Sequence, residues 1–181
     1  MFWGDERCVP ADDNRSNARM AHRALLRHVP VASVHVHPIR CGPNPQGGAT
    51  QYNKLLRARL PAAAPVLDLV FLGLGQNGHT ASLFPYSPAL AEKVRCAVEV
   101  YVAEQQMYRV TLTPVMINAA RVVVFLVTGR DKAQVLKAVL EGPVDTMRLP
   151  AQIVRPDTGR LICMVDQAAA SQLERKEDRR R

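Results

Sequence analysis

Two apolar runs that each end in glycine, PVLDLVFLGLG (residues 65–75) and RVVVFLVTG (residues 121–129), limit what this chain can fold into. A strand stays apolar along its whole length where both of its faces are covered, as inside a parallel sheet. The second run leads into DKAQVLKAVLEG, a helical pattern closed by Gly142 and Pro143. Two such strand, loop, helix units predict an α/β fold. Between them, VRCAVEVYVA and RVTLT read as strands, and PVMINAA as a short helix opened by Pro114. LICMVD reads as a last strand, and AAASQLERK as a closing helix.

The N-terminal third is less regular. Ser16 to Val29 carries Met20, Ala24, Leu25 and Val29 at helical spacing, with Ser16 or Asn17 as the N-cap. Val31 to Ile39 alternates and predicts a strand with His35 and His37 on one face, a surface pair lacking a third metal ligand. CGPNPQGG reads as a loop, and Ala49 to Leu60 as a helix. At roughly 150 residues per domain, 181 residues make one domain, residues 1–173, followed by a basic tail at 174–181.

Composition removes several function classes. Apolar residues at 48 % and charged residues at 22 % suit a globular core and exclude disorder and collagen-like repeats. No apolar run reaches the roughly 18 residues of a membrane span, and MFWGDER lacks a signal-peptide layout, so no membrane partner and a cytoplasmic address are expected. Cys8, Cys41, Cys96 and Cys163 stand far apart without a CxxC pair, which predicts four reduced thiols and neither a disulfide nor a metal site. The net charge is +8, of which ERKEDRRR supplies +2 with its five basic and three acidic side chains. The excess is spread along helix faces, and nine aromatics offer little for base stacking. A small anionic substrate, and no nucleic acid, accounts for it.

Chemistry concentrates at strand ends, where open parallel sheets collect ligands. GLGQNG matches GxGxxG through Gly73, Gly75 and Gly78, but Pro85 and Pro88 interrupt the crossover helix that a dinucleotide site needs. What survives is a glycine loop whose amides, at the start of a short helix, are expected to hold an anion or oxyanion. His79 opens that helix, and the positive helix end keeps its imidazole neutral, as a general base requires. Ser82 lacks a GxSxG elbow and is not a nucleophile candidate. Asp5, Glu6 and Arg7 of GDER place a phosphate-forking guanidinium beside acids. Lys132 and Arg109 are further cations for an anionic ligand.

Together, FWGDERCVPADDNRSNARM, LGLGQNGHTASLFP, RVTLTPVMINAARVVVFLVTGRDKA, PAQIVRP and MVDQAAA resemble the 6-phosphogluconolactonase family, from Met1 to about Leu173. The resemblance implies a three-layer αβα domain with a mostly parallel, Rossmann-like sheet. It implies hydrolysis of 6-phosphoglucono-δ-lactone to 6-phosphogluconate in the pentose phosphate pathway, without metal or organic cofactor, by a monomer or weak homo-oligomer. On it, His79, Arg7 and Asp5 match the catalytic set. Gly75, Gln76, Asn77, Gly78, Thr80, Arg109 and Lys132 match substrate-binding positions.

Two departures stand out. The family begins earlier, with further strands and an SGG-type phosphate loop, so the chain reads as lacking the family's first strands, with apolar sheet surface left open. Asn77 stands where the family has aspartate in DGH. The related aminosugar-phosphate deaminases and isomerases carry glutamate before the proline, where this chain has Phe84, and DEY in place of DER. A sugar-phosphate-binding relative without chemistry is the remaining alternative.

Overall fold

A computed structural model describes residues 1–60 and 65–174. Among these residues, six strands form two three-stranded sheets. β1 (Asp5–Arg7), β4 (Met107–Leu112) and β3 (Ala97–Val102) lie antiparallel with β4 in the middle, while β2 (Leu69–Leu72), β5 (Val122–Val127) and β6 (Arg160–Val165) lie parallel with β5 in the middle. The expected α/β class holds, and its parallel character belongs to one sheet, because the turn at Gln106 returns β3 directly into antiparallel β4. One hydrophobic cluster joins the two, from Trp3 and Leu56 to Val123 and Leu136.

Four α-helices among the described residues surround the strands: α1 (Asn17–Ala24), α2 (Pro45–Arg59), α3 (Pro114–Asn118) and α4 (Ala133–Leu140). Helix α2 packs on β3 and β4 through Ala49, Tyr52 and Leu56. It starts four residues before the expected position: Asn44 Oδ1 accepts the Gly47 N–H at 2.9 Å and Pro45 takes the first turn, so part of CGPNPQGG is helix. Ser16 caps α1, whose Met20 and the adjoining Leu25 are exposed at 57 % and 47 %; the contact with the core runs through Ala18 and Ala21 instead.

Several expectations are corrected. Val31 to Ile39 is no strand: Ser33–His35 form a 3₁₀ turn and His37 makes one bridge to Phe2, because Pro30 and Pro38 flank a segment with no partner strand. The buried-on-both-faces reading of β2 fails, since Leu69 and Phe71 are 47 % and 59 % exposed while Val70 and Leu72 are buried. β2 pairs with β5 alone, and its face continues across exposed Leu126 and Met164, uncovered among the described residues. The closing helix is a 3₁₀ turn over Ala169–Gln172, and residues 175–181 of the basic tail lie outside the described residues.

Cys8 and Cys41 form a disulfide with Cα atoms 5.2 Å apart, overturning the reading of four free thiols; Cys96 and Cys163 are free. The separation of 33 positions hides a contact that arises because the segment after β1 runs beside the one before α2. With it goes the thiol argument for a reducing compartment. Among the described residues, no helix is long and apolar enough to cross a membrane.

Alternation along β1 divides its labour. Asp5 and Arg7 share one face, and Glu6 points the other way, 3 % exposed. The Glu6 carboxylate accepts the Asn17 and Ala18 amides at 2.7 Å each and the Ser16 hydroxyl at 3.1 Å, so it holds the start of α1 beside the cleft. Glu6→Ala leaves those part-buried amides without partners and should cost about 1 to 2 kcal/mol, read as a lower urea midpoint with an unchanged slope.

Candidate active site

A cleft of about 450 Å³ opens between β1 and the carboxyl end of β2. Asp5, Arg7 and Asn17 line one side, Gly73, Gly75, His79 and Thr80 the other, and Arg109 and Lys132 complete it. Seven predicted site residues therefore meet: His79, Arg7, Asp5, Gly75, Thr80, Arg109 and Lys132. Gln76 and Asn77 face away and line a separate cavity with Asp131 and Arg148. Gly78 lies on neither wall; its amide bonds Gly75 O and its positive φ of 81° packs it against Leu149.

The expected helix at His79 is absent. Pro85 and Pro88 end any helical continuation, and residues 80–83 form a tight turn in which the Leu83 amide bonds Thr80 O at 2.9 Å. Three of the five amides of residues 75–79 are also spent: Gly75 N–H donates to His79 O at 2.8 Å, Gly78 N–H to Gly75 O at 2.9 Å, and His79 N–H to Asn77 Oδ1 at 3.2 Å. The loop's role is to seat the imidazole. A Cβ at Gly75 would fall on the His79 ring, so only glycine fits. Gly75→Ala should displace that ring and lower turnover by roughly 10²-fold, measured as kcat in a protein of unchanged Tm.

Asn77 fixes the imidazole's protons. Its Oδ1 accepts the His79 amide and lies 2.6 Å from His79 Nδ1. An oxygen that already accepts one N–H demands a second donor there, so Nδ1 carries the proton and Nε2 keeps its lone pair. Helix dipole plays no part in keeping the ring neutral. Burial pushes the His79 pKa below the usual histidine value, helped by Arg109 and Lys132 and opposed by Asp5.

The opposite wall is a charge network. Arg7 and Arg109 stand directly across from each other in the β1–β4 register, a repulsive placement. Asp5 relieves it: Oδ2 pairs with Arg109 Nη1 at 3.2 Å and accepts the Ser82 hydroxyl at 2.6 Å, while Oδ1 accepts Asn17 Nδ2 at 3.2 Å. Arg109 is 5 % exposed, and its Nη2 bonds Gln105 Oε1, so its donors serve the protein more than the cleft. Arg7 differs. Its Nη1 bonds Arg15 O and Asn17 Oδ1, and Nε and Nη2 have no partner among the described residues. Lys132 Nζ stands 3.8 Å from Asp131, a loose pairing.

Sequence reasoning missed Ser82 and Asn17, polar residues whose partners lie 77 and 12 positions away. Alternation in GDER was the available signal for Glu6. Among the described residues, no group of three or more His, Cys, Asp and Glu side chains converges as a metal site.

Residues 1–163 match the family model for glucosamine-6-phosphate isomerases/6-phosphogluconolactonase. The chain belongs to that family. Within it, the chain is 40 % identical over 177 residues to 6-phosphogluconolactonase of Synechocystis, covering 96 % of this chain and 72 % of the relative. It is 39 % identical over 168 residues to that of Homo sapiens, covering 92 % and 65 %. The 6-phosphogluconolactonase structure from Trypanosoma brucei superposes with a TM-score of 0.83 at 33 % identity over 96 % of this chain and 73 % of that one. A monomeric glucosamine-6-phosphate deaminase, at 18 % identity and TM-score 0.79, shares the fold.

Proposed function

We infer that this chain hydrolyses 6-phosphoglucono-δ-lactone to 6-phosphogluconate, a step of the pentose phosphate pathway, with neutral His79 as general base. The observation that carries the reading is the 2.6 Å contact of Asn77 Oδ1 with His79 Nδ1 in a ring that lines a cationic cleft. Nε2 takes a proton from water as its oxygen attacks the lactone carbonyl. With the Gly75, Gly78 and His79 amides engaged and Gln76 and Asn77 outside the cleft lining, the developing oxyanion falls to the free donors of Arg7. The imidazolium then returns its proton to the ring oxygen as the C–O bond breaks, and the ring opens to the acid. Lys132 holds the phosphate, and its remote binding energy places the carbonyl against the water. Asp5 and Arg109 hold each other, and Arg109 lends its charge from beneath the cleft.

Acid release from freshly made lactone, corrected for spontaneous hydrolysis, tests the reading. Release above background that saturates with lactone, and is competed by 6-phosphogluconate, is expected. Tight 6-phosphogluconate binding with no release would instead make the chain a binding relative without chemistry. Lowered His79 basicity gives a second expectation: the acid limb of kcat/KM should lie below the ordinary histidine value of about 6.5. Lys132→Met removes a cation that disfavours the imidazolium, so the limb should move upward, toward that value.

A further inference from the structure

His79 is held in its plane by Asn77, but a single contact at Nδ1 leaves the ring free to tilt about it. A second restraint comes from five residues further on. The Phe84 ring lies against the imidazole with centroids 4.3 Å apart and planes 21° from parallel. Phe84 is absent from the cleft lining, so it supports the imidazole without presenting itself to substrate.

The chain goes to some length to bring this ring back. Thr80 and Leu83 bridge each other, and Ala81 adopts φ of 48°, a left-handed conformation costly for a residue with a Cβ. Hydrogen bonds hold the turn at three points. Thr80 Oγ1 donates to Gly73 O at 2.8 Å, Ser82 N–H to Thr111 Oγ1 at 3.1 Å, and Ser82 Oγ to Asp5 Oδ2 at 2.6 Å. Leu83 is fully buried. The Arg109 guanidinium carbon lies 5.6 Å from the Phe84 centroid, so the buried cation rests over this ring as well.

We propose that Phe84 is a positioning residue for His79, whose stacked ring fixes the imidazole plane so that Asn77 and Phe84 together aim Nε2 into the cleft. The proposal rests on His79 acting as the base. It deepens that reading by assigning the base's orientation to a partly buried residue outside the cleft lining. An offset stack of two planar rings is worth more than its buried area, and a branched aliphatic side chain cannot reproduce it.

The test compares the parent with Phe84→Leu and Phe84→Tyr. In the parent, the His79 ring protons should resonate upfield of the other histidines, because a stacked aromatic shields them; the signal is assigned by its loss in His79→Asn. In Phe84→Leu the signal should move to the ordinary histidine position and kcat should fall roughly three- to ten-fold with KM unchanged, the range expected from losing one stacked pair. Phe84→Tyr should restore both. If Phe84→Leu is folded and keeps the parent kcat, or if tyrosine restores neither signal nor kcat, Phe84 is packing alone and the proposal is overturned. The resonance does not depend on turnover, so failure of the stack is separable from failure of His79 as the base.

Discussion

His79→Ala should lower kcat for lactone hydrolysis by roughly 10² to 10⁴-fold, the usual contribution of a placed general base, with the folded protein otherwise intact. His79 is half-buried at a loop, and its removal takes away one contact with Asn77 and one with Phe84. Tm should therefore change little, and 6-phosphogluconate affinity should persist, because Arg7, Lys132 and the Asp5–Arg109 pair remain. Asn77→Asp probes the same contact from the other side. A carboxylate there would favour the imidazolium, so the acid limb should rise while the Nδ1–H tautomer is kept. A His79→Ala protein as fast as the parent would remove the imidazole from the reaction.

Arg7→Met is expected to lower kcat/KM by roughly 10² to 10³-fold, the range for losing a donor aimed at a developing oxyanion. The reason is subtraction. Gly75, Gly78 and His79 have their amides engaged within the loop, and Arg109 is bound to Asp5, Ser82 and Gln105 through Nη1 and Nη2, while its partnerless Nε is buried. Arg7 is the cleft-lining guanidinium with Nε and Nη2 left over among the described residues. Its Nη1 bonds to Arg15 O and Asn17 Oδ1 also tie down the start of α1, so a modest fall in Tm should accompany the loss. Arg7→Lys keeps the charge but not the planar fork and should recover little activity. Recovery of most of the rate by lysine would reduce Arg7 to a source of positive potential.

Much of the site was legible because local signals coincide with it. The glycine-terminated run at 65–75 placed His79 at the end of a parallel strand, and β5 and α4 followed from their own patterns. What escaped depends on contacts between distant segments. The Cys8–Cys41 pair and the Ser82 to Asp5 bond join positions 33 and 77 apart, and no spacing announces them. The helix assigned to His79 failed for a different reason: a glycine loop followed by a histidine reads like a helix start, but the prolines that excluded a dinucleotide site also exclude the helix. Neutral imidazole was expected from a dipole that is not there, and arises from burial and two cations. The run at 65–75 predicts cover over Leu69 and Phe71, which are 47 % and 59 % exposed, because an apolar run does not say how many layers lie over it.

Catalysis by His79 requires the imidazole proton on Nδ1 and a bare Nε2. Nitrogen-15 spectra of His79 in the uncomplexed protein read this directly through pH 5 to 8. A protonated Nδ1 and a bare Nε2 at neutral pH, lost on acidification with the same midpoint as the acid limb of kcat/KM and below the ordinary histidine value, are the predicted result. An imidazolium at neutral pH, or a proton on Nε2 with Nδ1 bare, would contradict it.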